Sequence, residues 1–367
     1  MTLRFHAPYV EWAKARPPAR FDLGGSNVLS CSVDELEGAR DAINLLGDND
    51  NGYAPLIDAI ASRYRVHANR VTTAQGASGA NFLVCAALLE PGDDVLVERP
   101  GYDPLLAAPA LLGARPVRFD RVFDEAFALD PDRVRHRLTP RTRLIILTSP
   151  HNPSGVKVAD DALDAVGRLA EANGAHVLVD QVYLDAATTT AAGTASVATA
   201  AARGDVFIST SSLTKSYGLS GLRCGWILSS PAVAERLRRV RDVVDSTGSI
   251  VTERLSALAF TQLDRLIGRS EALLETNGAL VRAFLRSRPE LEWVDPQGGT
   301  VVFPRVRGVA DAGVLVRRLV EERETAVVPG RFFEAPAHFR LGFGWTTGAL
   351  RGGLDALGGA LDARAWD

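Results

Sequence analysis

Short apolar runs alternate with longer stretches of helical spacing along most of this chain. Leu56 to Tyr64 (LIDAIASRY) carries apolar residues at helical intervals. A strand-like Arg70 to Thr73 follows, then a glycine turn at 76–79 and an apolar helix from Asn81 to Leu89, stopped by Pro91-Gly92. Val95 to Val97 reads as a short buried strand, and Pro104 to Leu112 as a helix ended by Gly113. Leu144 to Leu147, Val177 to Val179 and Val206 to Ile208 read as further strands, with a helix over 160–173 between the first two. Apolar strands separated by helices predict a mostly parallel sheet covered on both faces.

The flanking regions read differently. Residues 1–45 are mixed and loop-rich, and 186–202, rich in Ala and Thr, read as a surface loop or a poorly specified helix. A long helical region runs from Pro231 to about 288. Beyond Trp293, strands at 300–303, 326–328 and 338–343 mix with helices. The expected fold class is α/β. A three-layer α/β/α large domain would span 46–255, and a smaller α+β domain would combine 1–45 with 256–367.

Composition narrows the function. A chain of 367 residues is long for one simple core, and 46% hydrophobic content is that of an ordinary globular protein. A net charge of −3 with no basic stripe argues against a nucleic-acid partner. No stretch has the length of a membrane helix, and the first residues lack a signal-peptide core. Cys31, Cys85 and Cys224 are too scattered for a disulfide framework or a CxxC metal site. A soluble, cytoplasmic protein without a bound metal is the expectation.

The densest chemistry lies in Ser209 to Trp226, STSSLTKSYGLSGLRCGW. Lys215 sits among small hydroxyl residues, with Ser212 before it and Arg223 after it. A hydroxyl and a guanidinium suit a phosphate, and a lysine between them can condense with an aldehyde. Asp180, past the strand in VLVDQVY, stands where parallel sheets bind ligands and can balance a protonated ring nitrogen. Taken alone, an Asp at such a position is more commonly a turn cap. Tyr183, close behind it, could reach a phenolic oxygen, as could Asn152 in TSPHNPSG. Ala77 and Ser78 lie at a helix start, where free N–H groups attract phosphate. Tyr102 could stack on a flat ring or fill a core. Arg340, within a strand, could clamp a carboxylate or face solvent at a sheet edge.

Together, SLTKSYGLSGLR at 212–223, HNPSG at 151–155 and DQVY at 180–183 resemble the class I/II aminotransferases, which are fold-type-I enzymes dependent on pyridoxal 5′-phosphate (PLP). The resemblance runs from about Tyr53 to Arg340. It implies that Lys215 forms the Schiff base with PLP and acts as the proton-transferring base. Ala77, Ser78, Ser212 and Arg223 would hold the phosphate, and Asp180 the pyridine nitrogen. Asn152 and Tyr183 would hold the phenolic oxygen, and Tyr102 would stack on the ring. Arg340, beside Asn152, would bind the substrate α-carboxylate. The implied reaction moves the amino group of a small L-amino acid to a 2-oxo acid, in a homodimer.

Two features depart from the pattern. Many relatives carry a tyrosine shortly before the glycine that precedes the LIDAIASRY-like helix. Here that glycine is Gly52, and the matching stretch reads Leu46-Gly47-Asp48. Tyr53 lies past the glycine and is not given that role. DLGGSN at 22–27 is expected to supply the substrate lid, without assignment of single residues. VVPGRFF at 327–333 resembles a segment of capreomycidine-synthase-like enzymes, so a β-eliminating or cyclising PLP enzyme is the alternative. Arg331 is a candidate second cation for a dicarboxylic substrate.

Overall fold

The computed structural model describes residues 6–186 and 198–366. At its centre lies a seven-stranded sheet. The strands are β1 (Val71–Gln75), β2 (Asp94–Arg99), β3 (Arg115–Asp120), β4 (Thr142–Thr148), β5 (His176–Asp180), β6 (Phe207–Ser212) and β7 (Cys224–Leu228). Their spatial order is β1-β7-β6-β5-β4-β2-β3. All pairs from β6 to β3 are parallel, whereas β7 runs antiparallel to both β6 and β1. Consequently β1 points the same way as the parallel strands.

Continuous apolar runs become strands here because both faces are buried. Successive side chains leave a strand on opposite sides. Leu144, Ile146, Leu178 and Ile208 enter one core with the helices Gly76–Leu88, Pro104–Leu111 and Pro231–Val244. Ile145, Leu147, Val177, Val179 and Phe207 enter another, with the helix Asp160–Ala172. The result is the three-layer arrangement expected of the sequence.

A further core unites both ends of the chain. Leu23 and Val28 pack with Leu274, Val281, Leu319, Phe339, Leu341 and Leu357. Phe21–Asp22 pairs with Thr325–Ala326, and Val301–Val302, Phe339–Gly342 and Val328–Pro329 form a three-stranded antiparallel sheet. Phe339–Gly342 is its middle strand. The reading of Arg340 as a solvent-facing edge residue is therefore incorrect: the strand is flanked on both sides and Arg340 is fully buried.

Other differences have local causes. The glycine turn read at 76–79 is the first turn of the helix Gly76–Leu88, because Gly76 takes a positive φ of 69° and the chain bends straight into the helix. β3 escaped notice because RPVRFD is half-polar and lies at the sheet edge. The helical region after Pro231 divides into Pro231–Val244, Ile250–Phe260 and Leu263–Arg286; Ser230 and Ser249 cap the first two. The domain boundary expected at 255–256 falls inside Ile250–Phe260. Pro8–Ala15, read as loop-rich, is a helix. Most of the Ala/Thr-rich stretch lies outside the described residues; Ala200–Arg203 is a 3₁₀ turn with Ala200 and Ala201 buried. Among the described residues no helix is long and apolar enough to cross a membrane.

Candidate active site

Parallel strands bring their C-terminal ends to one edge of a sheet, and ligands bind there. Thr148, Asp180 and Ser212 are the final residues of β4, β5 and β6. β1 ends at the same edge and leads into the helix Gly76–Leu88, which brings Ala77 and Ser78 there. Arg223 immediately precedes β7, whose antiparallel course starts at that edge. A cavity of about 230 Å³ opens between these ends. Ala77, Ser78, Tyr102, Asn152, Asp180, Tyr183, Ser212, Lys215 and Arg223 all line it, together with Asn81 and Thr148.

The phosphate end is open to an anion. No side chain caps the N–H groups of the first turn of Gly76–Leu88. The Arg223 guanidinium lies against that turn: a Cβ on Gly76 would come within 2.4 Å of its Nη2. Among the described residues this guanidinium has no hydrogen bond or ion pair. Free helix N–H groups, the Ser78 and Ser212 hydroxyls and an unpaired arginine form a suitable cradle for phosphate.

Asp180 is buried, which raises its pKa above the ordinary carboxylate value. The Asn81 amide (2.8 Å), the Val182 N–H (3.2 Å) and the charge of Lys215 act in the opposite direction. Thr210 donates to Asn81 Oδ1 at 2.6 Å and so fixes which end of the amide faces Asp180. A buried carboxylate of this kind is stabilised further by a cation, such as a protonated ring nitrogen.

The Lys215 amine donates to Ser26 Oγ and Asn27 Oδ1, both at 2.8 Å. Its pKa is pulled down to about 7, chiefly by burial, with help from the charges of Arg340 and Arg223 and against that of Asp180. Part of the side chain still meets solvent, but the amine end lies within the site. A substantial unprotonated fraction exists near neutrality, and only that form adds to an aldehyde. Tyr183 is buried and pushed up to about 12 by desolvation, so its hydroxyl keeps its proton. That hydroxyl has no hydrogen-bond partner of normal geometry among the described residues, although Ser26 stands close enough to affect it. An unpartnered buried donor of this kind fits a phenolic oxygen placed in the cavity.

Asn152 joins the two ends of the site. Its Oδ1 accepts from Arg340 Nη1 at 2.9 Å, and its backbone N–H donates to Thr148 Oγ1 at 3.0 Å. Thr148 donates to Glu98, which pairs with Arg121 at 2.9 Å, both fully buried. His151 is locked between Pro100 and Ser154, and burial lowers its pKa well below the ordinary value, so it stays neutral. Arg340 does not line the cavity itself; its hydrogen bond to Asn152 ties it to the cavity wall. Tyr102 stands edge-on to Tyr9 at 5.7 Å. Arg331 is exposed and lies over Phe332, away from the cavity.

Sequence reasoning missed Asn81, Thr148, Tyr9, Ser26 and Asn27 as single residues. Asn81 left a faint signal, a polar side chain opening an otherwise apolar helix face. Tyr9 left none, since it meets Arg340 across 331 positions.

The donor set thus fits PLP at each of its polar groups. The chain matches the family model described as aminotransferase class I and II over residues 23–357. It is 31% identical to capreomycidine synthase from Streptomyces vinaceus, covering 98% of this chain and 94% of that one. It is 30% identical to the arginine–pyruvate transaminase of Pseudomonas aeruginosa, covering 79% and 76%. The crystal structure of the PLP-dependent cyclase OrfR superposes with a TM-score of 0.86 at 29% identity, covering 99% of both chains. With this match over most of its length and a PLP-shaped donor set at the sheet edge, the chain belongs to the class I and II aminotransferases, a family of PLP-dependent enzymes.

Proposed function

We propose that this aminotransferase moves the amino group of a small L-amino acid to a 2-oxo acid. The observation that carries the reading is the convergence of Lys215, Asp180, Asn152, Tyr183 and Arg223 on one cavity. Bound PLP supplies an aldehyde for the amine and a ring that draws electrons from the adjacent carbon. Lys215 would carry the cofactor and, once released, take the proton from the substrate Cα and deliver it to the former aldehyde carbon of the cofactor, after which water would release the 2-oxo acid and leave the amino group behind. Ser26 and Asn27 would receive the freed amine. Asp180, held by Asn81, would keep the ring nitrogen protonated. Tyr183 and the Asn152 amide would hold the phenolic oxygen, and Tyr102 would cover the ring. Ala77, Ser78, Ser212 and Arg223 would hold the phosphate, and Arg340 the α-carboxylate.

A homodimer accompanies this reading. Leu45 and Leu46 are 79% and 77% exposed, and Val243 is 87% exposed. Arg254 donates to the Leu46 carbonyl at 2.8 Å, which ties this stretch to the region following Val243. We take these exposed apolar side chains as support for an association surface there. The three free thiols support a reducing, cytoplasmic location.

A second reading, cyclisation or β-elimination, is favoured by one observation. Capreomycidine synthase and OrfR match 98% and 99% of this chain, and segment 327–333, which resembles such enzymes in sequence, comes near Arg340 through Phe333, whose ring lies 5.1 Å from the guanidinium. The experiment mixes PLP-loaded protein with single L-amino acids, with and without a 2-oxo acid, and measures 2-oxo acid and ammonia. One equivalent of 2-oxo acid per site, and turnover only with the acceptor, is the expected result. Sustained ammonia release or a cyclised product without acceptor overturns it in favour of the second reading.

A further inference from the structure

Arg340 is a fully buried cation with no carboxylate partner among the described residues. Its polar contacts are three oxygens. Nη1 donates to Asn152 Oδ1 at 2.9 Å. Nη2 donates to the Tyr9 hydroxyl at 2.6 Å and to the Gly24 carbonyl at 3.1 Å. Nε is buried without a partner.

A guanidinium grips a carboxylate through two parallel N–H bonds. The two possible forks are Nε with Nη2 and Nη1 with Nη2, so both require Nη2. Each Nη2 hydrogen is already engaged, and one of its acceptors must therefore give way. Gly24 is poorly suited to do so. The adjacent Leu23 is fixed on both sides, its N–H to Ala326 and its carbonyl to Gly342. Tyr9 sits in the first turn of Pro8–Ala15, a helix without a fully buried residue. Its backbone N–H is held by Asp103 Oδ2 at 2.7 Å, and its ring lies 5.0 Å from the guanidinium. Its ring also packs among Trp12, Tyr102, Phe332 and Phe333, so a tilt of this one side chain that draws the hydroxyl away would free the fork without moving a strand.

We propose that the Tyr9 hydroxyl is a displaceable plug in the Arg340 fork, so that Tyr9 sets how tightly the site takes a substrate carboxylate. This rests on the reading of Arg340 as the carboxylate-binding residue. The plug spares the buried cation an unpaired state, which is costly, and yields to an acceptor of full negative charge.

The test titrates the PLP-loaded protein with propionate, which has a carboxylate but no amino group, and with propanamide as the neutral control. Tyr9→Phe keeps the ring and removes only the hydroxyl. Propionate is expected to bind the variant roughly tenfold more tightly, with propanamide unchanged. In turnover, KM for the amino acid should fall while kcat does not rise. Arg340→Lys should weaken propionate in both backgrounds. If Tyr9→Phe leaves propionate affinity unchanged or lowers it while Arg340→Lys weakens it, the plug is overturned and the Arg340 reading stands. If Arg340→Lys has no effect on propionate, the Arg340 reading fails and the plug with it.

Discussion

At the cofactor end of the cavity, Thr148, Asp180 and Ser212 are the last residues of three adjacent strands. At the substrate end, Tyr9, Ser26, Asn27 and Arg340 come from opposite ends of the chain. The first group is held by strands packed on both faces and by buried polar links such as Asn81–Asp180 and Glu98–Thr148. Part of the second rides on a helix without a fully buried residue. Chemistry common to a family suits the rigid wall, because its geometry must not vary. Choice of substrate suits the part of the second wall carried by that helix, where a side chain such as Tyr9 can change without disturbing a sheet.

The largest expected effect is at Lys215. Lys215→Ala should lower single-turnover formation of 2-oxo acid from an L-amino acid by roughly 10⁴-fold, because in the proposed mechanism one residue both carries the cofactor and moves the proton. An unchanged rate would break the assignment of the rigid wall to catalysis. Asp180→Ala should lower kcat by about 10²- to 10³-fold, the range seen when a buried electrostatic contact is lost from an active site. Its effect on KM should be small, since Asp180 lies at the cofactor end.

The coupling of the two walls can be read from pH. PLP uptake by cofactor-free protein should accelerate as pH rises through about 7 and then level off, because the unprotonated Lys215 amine is the reactive form. Between pH 6 and 8 the change should be about tenfold. Asp180→Asn should shift the midpoint down, since the carboxylate charge raises the lysine pKa. Arg340→Gln should shift it up, because the guanidinium lowers it. A midpoint near the ordinary lysine value would show that burial does not govern this amine. The smallest effect is expected for Asn81→Ala. Removing one donor to Asp180 should reduce kcat several-fold in steady-state assays, and a loss as large as that of Asp180→Ala would mean that Asn81 does more than hold the carboxylate.

Most of the cofactor site was legible in the sequence. Asp180, Asn152 and Lys215 follow apolar runs within a few positions, so recognising each strand also located the residue near its end, whereas Arg223 was found through its spacing from Lys215. β3 and β7 were not read as strands. One is half-polar at the edge, and the other opens with Cys-Gly directly after the lysine loop. The link between Asn81 and Asp180 was hidden because a helix and a strand far apart in sequence had to be packed before the amide could meet the carboxylate. Arg340 drew attention as a charge within a strand, but its burial depended on strands pairing on both of its sides.

By itself the sequence determined the alternation of strands and helices, the parallel core and most of the polar groups that line the cavity. These depend on periodicity and on residues a few positions apart, which local chemistry already expresses. Only the tertiary structure decided that Ser26 and Asn27 hold the lysine amine, that Asn152 meets Arg340, and that Tyr9 occupies the arginine's fork. These contacts join segments that no local pattern relates. They exist because the N-terminal segment pairs with strands near the C-terminus, which buries a common core and brings both ends of the chain over the sheet edge.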